Sequence, residues 1–262
     1  MRITYGKLRV PVHRIEGDDV FACEVDVEVL GDNFAAAYTE GDNSAVVATD
    51  TMKNFILREA LRYDGATLEG FLAFLGERFL ATYPVMESVR VSGRELRFDR
   101  LSGVVFSRSR DDRAVAAVEV GPGGVGAVTG GLADLWLLKL SGSAFTRFAR
   151  DDYTTLPERS DRPLFVRMDV GWRYAGSSEY ASARAVRDHL AATFDDFVSE
   201  SIQHLVHEMG TRLLADFVQI DQVSFTAENH TRDPVGEDGG RRVYTDPFPA
   251  QGLITLTLDR PC

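Results

Sequence analysis

The chain has 262 residues, 44% of them hydrophobic and 26% charged, with a formal net charge of −11. That length can bury a large core as one big domain or two small ones, and the acidic balance argues against a nucleic-acid-binding surface. Two cysteines, Cys23 and Cys262, imply no disulfide framework, and no apolar run reaches the length of a signal-peptide core or a membrane span.

In chain order, residues Ile3 to Arg14 read as a first strand and Val20 to Leu30 as a second. The second alternates cleanly, with Phe21, Cys23, Val25, Val27 and Val29 on one face and Glu24, Asp26 and Glu28 on the other. Glu16-Gly17-Asp18-Asp19 between them is a turn. Ala45-Val46-Val47-Ala48 reads as a short strand that hands over to a helix of about residues 51–62. Thr49 and Asp50 stand at the junction, where either residue type can cap a helix. A second helix starts near Thr67, carries Leu68, Phe71, Leu72, Leu75 and Phe79 on one stripe, and ends before Pro84.

Residues 85–91, 95–106 and 114–120 read as further strands, and Gly121 to Gly126 as a glycine-rich connection. That connection lacks the Gly-Lys-Ser/Thr ending of a phosphate loop. Strands at 135–140 and 165–172 follow, then one long helical tract over about 182–214, then strands at 218–225 and 253–259. The order β-β-α-α-β-β is thus followed by β-β-α-β-β. The expected class is α+β, with antiparallel sheets, helices on one face, and two similar units at residues 1–122 and 123–262.

Three residue patterns bear on chemistry. The Thr49-Asp50 corner offers a hydroxyl and helix-start N–H groups to a flat anion, although the same residues also suit an ordinary capped turn. Only three of 29 basic residues are lysines, Lys7, Lys53 and Lys139. A lysine can lose its proton when desolvated and an arginine cannot, so the retained lysines are candidates for a base. His204 and His207 have a helical spacing open to a metal, but no cysteine or carboxylate cluster accompanies them, and a solvated or packed helix face fits better.

The blocks Tyr5-Gly6-Lys7, Tyr38-Thr39-Glu40-Gly41-Asp42-Asn43-Ser44, Val47-Ala48-Thr49-Asp50-Thr51-Met52-Lys53-Asn54 and Arg150-Asp151-Asp152-Tyr153-Thr154-Thr155-Leu156 resemble urate oxidase. The resemblance runs from about Tyr5 to about Leu258 and is patchy over 94–132 and near the C-terminus. It implies a tandem tunnelling fold that assembles as a homotetramer around a β-barrel, with active sites between subunits. It also implies oxidation of urate by O2 and water to 5-hydroxyisourate and hydrogen peroxide, with no metal or flavin.

Carried over by position, Phe145 would stack on the purine, Arg162 would grip one edge, and Gln203 with the Ile202 backbone would close the other. Thr49 and Asp50 would reach in from a neighbouring subunit, and Lys7 with Thr49 would form the proton-relay dyad. Where the family pattern is Asn-x-His, this chain has Asn229-His230-Thr231, so Asn229 matches, Thr231 occupies the histidine position and His230 comes one residue early. The open alternatives are another purine or pterin enzyme of the same superfamily and a purine-binding homologue without turnover. The chain ends Asp259-Arg260-Pro261-Cys262 rather than in a peroxisomal Ser-Lys-Leu-type signal, and a cytoplasmic location is expected.

Overall fold

The computed structural model describes residues 3–176, 179–247 and 249–261 of the chain. Cys262 lies outside them. The elements in order are β1 (Ile3–Glu16), β2 (Asp19–Gly31), α1 (Ala36–Thr39), α2 (Thr49–Glu59), α3 (Leu68–Thr82), β3 (Ser88–Glu95), β4 (Phe98–Arg100), β5 (Phe106–Arg108), β6 (Arg113–Gly121), β7 (Gly124–Lys139), β8 (Leu164–Tyr174), α4 (Ala183–Asp196), α5 (Ile202–Asp216), β9 (Ile220–Asn229), β10 (Pro234–Asp238), β11 (Arg241–Tyr244) and β12 (Gly252–Asp259).

One eight-stranded sheet in the order β1-β2-β3-β6-β7-β8-β9-β12 carries the molecule. Each neighbouring pair in it is antiparallel. Alternation explains its two faces. Val25, Val27, Val89, Val91, Val118, Val166, Met168 and Phe225 are buried beneath the helices. Against them lie Met52 and Ile56 of α2, Phe71, Leu75 and Phe79 of α3, Leu190 of α4 and Leu205 and Met209 of α5, all buried. Full burial of each such side chain contributes about 1.5–3 kcal/mol, so the apolar stripes are what lay the helices on this face. The opposite face is polar and is laced by cross-strand pairs such as Arg94 with Glu24 and Arg167 with Asp134 and Glu228, and Arg167 also pairs with Asp169 of its own strand.

The sequence reading needs several corrections. Ala45–Ala48 is a packed loop. Val46 N–H closes a turn on Asn43 O, and Val47 N–H is taken by the Tyr5 hydroxyl rather than by a strand partner. The strand expected at 95–106 ends at Glu95 and is followed by the small β4–β5 hairpin, whose turn carries Ser102 and Gly103. The tract at 182–214 is two helices, parted where Phe197 turns to extended backbone and Ser201 starts a new cap.

β7 begins at Gly124, well before the expected Leu135, and pairs Gly121 with Gly124 across the glycine-rich turn. Its glycines hide its pattern but are required. A Cβ on Gly130 would fall 2.3 Å from Glu69 Oε1, and one on Gly131 would fall 2.7 Å from Val170 O. With the long tract split, the second half also runs β-β-α-α-β-β. A small hairpin (β4–β5 or β10–β11) is inserted between the last two main strands of each half.

Candidate functional site

The N-terminal cluster is set by β1 and the loop it clasps. The Tyr5 ring packs edge-on against Phe34 at 4.8 Å, and its hydroxyl accepts from Val47 N–H at 3.0 Å, which anchors the segment leading into α2. Gly6 is needed because a Cβ there would sit 1.9 Å from Val27 O. Lys7 pairs with Val27 on the helix-bearing face, half-buried, immediately before an irregularity in which Arg9 takes φ 56°.

The first residues of α2, Thr49 and Asp50, are exposed. The residue before them is Ala48, which has no side chain able to cap, so the sequence expectation of a Thr or Asp cap gives way to an open helix start. The Asp50 carboxylate accepts from Lys53 Nζ at 2.5 Å and from Asn54 Nδ2 at 3.0 Å. The Lys53 hydrogen bond and charge hold its pKa below the usual carboxylate range, and Lys7 is close enough to add to this.

The second cluster is a knot of backbone bonds around residues 142–162. Ser143 bridges Ser199, and Ala144 N–H donates to Ser199 O at 2.8 Å. Phe145 and Arg159 exchange backbone bonds of 2.8 and 3.0 Å, and Arg162 N–H donates to Ser143 O at 2.9 Å. These bonds place Phe145 and Arg162 together, with the guanidinium carbon 5.7 Å from the ring centroid.

Phe145 is half-buried and stacked on Phe148 at 4.9 Å with an interplanar angle of 11°. Burial, with Arg159 nearby, lowers the Arg162 pKa, and its Nε is buried without a partner among the described residues. An unpaired donor of this kind is costly and favours a ligand acceptor. The Ser143–Ser199 bridge brings the start of α5 to the same place. Ser201 caps that helix by accepting from His204 N–H at 3.1 Å, which fixes buried Ile202 and exposed Gln203 in its first turn.

Asn229 ends β9 opposite Val166, half-buried, on the helix-bearing side. His230 faces the other way. Its ring is buried, packs on Trp136 at 4.5 Å and lies between Gln251 at 3.0 Å and Glu228 at 3.4 Å. Thr231 is exposed. His204 and His207 are exposed on α5, and no group of three His, Cys, Asp or Glu placed to hold a metal occurs among the described residues.

One chain therefore gathers Phe145, Arg162, Ile202 and Gln203, with Asn229 beside the strand that follows Arg162. It leaves Lys7, Thr49 and Asp50 apart. β1 is the first strand of the sheet and β8 the sixth, a separation on the order of 24 Å across the strands. The sequence reading missed Lys53 and Asn54 as partners of Asp50, although their i+3 and i+4 spacing was visible. It also missed Glu69, a buried carboxyl that accepts from the Tyr174 hydroxyl at 2.8 Å, and Asp112, which is buried between Arg97 at 3.1 Å and Arg187 at 2.5 Å. Glu69 stands within an apolar stripe and Asp112 within a run of charges, and neither setting signals burial in sequence.

The uricase family model matches residues 3–121 and 128–249. A uricase from Haloferax volcanii is 38% identical, covering 97% of this chain and 92% of that one. The uric acid degradation bifunctional protein PucL of Bacillus subtilis is 37% identical over 97% of this chain, which spans 57% of that longer protein. Among solved structures, urate oxidase from Bacillus sp. TB-90 superposes with a TM-score of 0.88 at 34% identity, covering 98% of this chain and 99% of that one. A uricase from Bacillus fastidious gives 0.88 at 36%, covering 98% and 93%. The chain belongs to the uricase family.

Proposed function

We propose that the protein oxidises urate with O2 and water to 5-hydroxyisourate and hydrogen peroxide, with no metal or organic cofactor. The observation that carries this reading is the half-buried Phe145 face with the Arg162 fork beside it and an orphaned guanidinium N–H. A flat monoanion with in-plane acceptors answers both. Gln203, with the Ile202 backbone, closes the far edge, and Asn229 stands above the ring.

The Thr49 hydroxyl and the open start of α2 supply donors for the remaining edge. Lys7, as a base acting through the Thr49 hydroxyl or a bound water, removes a proton from the urate monoanion. The electron-rich dianion passes electrons to O2, which adds at C5 as a hydroperoxide. Water then displaces hydrogen peroxide, so that urate, O2 and H2O become 5-hydroxyisourate and H2O2. Of the two candidates beside Asn229, Thr231 is the one left open to solvent, and the sequestered His230 ring is assigned a packing role.

The separation of the two clusters favours a site completed by a second copy. β1 and β12 are the two edges of the sheet, and head-to-tail pairing of edges closes a barrel and removes both. The assembly proposed is a homotetramer of chains with two tandem tunnelling-fold units, residues 1–122 and 123–262, and the proposed location, which rests on the sequence alone, is cytoplasmic.

A second reading, a purine-binding relative without turnover, is favoured by one observation: the His230 ring is turned away from Asn229 and packed on Trp136. Both readings meet in one experiment, in which metal-stripped protein is given urate while urate loss, oxygen uptake and peroxide release are followed together. Equal progress of all three is expected. Binding without consumption would establish the second reading, and no binding would overturn both.

A further inference from the structure

Any helix leaves its first N–H groups without intrahelical acceptors, and an aspartate in the first turn is a ready internal acceptor for them. In α2 that does not happen. The first helical bond runs from Met52 N–H to Ala48 O at 3.1 Å, Ala48 offers no cap, and no side chain caps the helix. Asp50, the residue able to turn back, has one carboxylate oxygen held by Lys53 Nζ at 2.5 Å and the other by Asn54 Nδ2 at 3.0 Å. Both oxygens are thus engaged by side chains of the next turn.

An i,i+3 or i,i+4 pair on a helix surface ordinarily adds little to stability. Two features reach beyond that. The clamp occupies both oxygens at once. It also neutralises a carboxylate beside the place where an anion is required. Lys53 is moreover one of only three lysines in a chain that otherwise uses arginine. Its point-like ammonium can neutralise Asp50 without presenting a fork that would compete for the ligand.

We propose that Lys53 and Asn54 are positioning residues that hold the Asp50 carboxylate off the α2 start, keeping the N–H groups of Thr49 and Asp50 open for the anionic edge of the purine. This rests on the urate reading given above. With the clamp released, the Asp50 carboxylate would cap its own helix and repel the substrate.

The test measures kcat and KM for urate in Lys53→Met, Lys53→Arg and Asn54→Ala, each checked by its thermal unfolding midpoint. Lys53→Met should raise KM about tenfold through the loss of charge compensation beside the anion, with kcat changed far less. Lys53→Arg, which restores the charge but adds the competing fork, should recover only part of the loss, and Asn54→Ala should have a smaller effect. Asp50→Asn supplies the second arm. In that background Lys53→Met should raise KM no further, because no carboxylate remains to swing inward.

Wild-type KM in a stably folded Lys53→Met protein would overturn the proposal. So would an equal KM increase with and without the Asp50 charge. If wild-type protein neither binds nor consumes urate, it is the functional reading that fails.

Discussion

The first half of the chain presents Lys7, Thr49 and Asp50 on an edge strand and an uncapped helix start, whereas the second half sets Phe145, Arg162 and Gln203 in a knot of backbone bonds closed by the Ser201 cap. The ring-holding groups are thereby fixed without a partner, and one of them carries an unsatisfied donor. The proton-handling groups stay exposed or half-exposed at the rim of the sheet. Under the proposed function the two halves are put to unequal use: one would provide rigid recognition, the other a set of charges and N–H groups that would meet the substrate across an interface.

The comparison can be broken first at its chemical end. Lys7→Met should lower kcat by about 10²–10⁴-fold, the range for a lost general base, while urate still binds. Arg162→Gln should instead weaken binding, by about 10–100-fold in KM for loss of a charged hydrogen bond. Steady-state kinetics together with equilibrium binding separates the two. Similar kcat and KM effects from both variants would erase the distinction between the halves.

The next effect lies between the halves, where Glu69 of α3 meets Tyr174 of β8. Burial raises the Glu69 pKa from 4.5 to about 7, outweighing the helix N–H and the Tyr174 hydroxyl that favour the anion. A carboxyl raised in the folded state stabilises the fold fully below its unfolded pKa, and that contribution is lost as pH climbs through the folded value. Stability should therefore fall between pH 4.5 and 7 by on the order of 3 kcal/mol from this group. Glu69→Gln, which keeps an acceptor for Tyr174, should abolish that slope and be more stable than wild type at pH 8. Thermal unfolding across the pH range checks it, and an unchanged slope would contradict the assignment.

The smallest effect is at the cap. Ser201→Ala should cost about 1 kcal/mol of stability and loosen Gln203 with the first turn of α5. It would appear as a modest rise in KM beside a lowered unfolding midpoint.

Much of this was legible in the sequence. The stripes Phe71, Leu72, Leu75, Phe79 and Val186, Leu190, Phe194 gave the helices, and the alternation of β2 gave its two faces. Where glycine was chosen for close approach, as at Gly130 and Gly131, hydrophobic periodicity vanished and most of β7 went unread. Ala45–Ala48 looked like a strand because it is apolar, yet its backbone partner is the Tyr5 hydroxyl, a contact 42 residues away that no local pattern encodes. The Asn229-His230-Thr231 ambiguity was posed by the sequence. In space the His230 ring lies on the far face, against Trp136.

The proposed completion of the site by a second copy is tested most directly by mixing two impaired proteins, Lys7→Met and Arg162→Gln, reassembling them from dissociated chains and assaying at urate well below the wild-type KM, where both variants are nearly silent. Each mixed pair holds one site with both lesions and one with neither. Random reassembly of equal amounts should therefore restore about a quarter of wild-type activity if pairs are symmetric. No recovery from a mixture shown to contain mixed pairs would mean that Lys7 and Arg162 serve the same chain, and that the two clusters are not one site divided between copies.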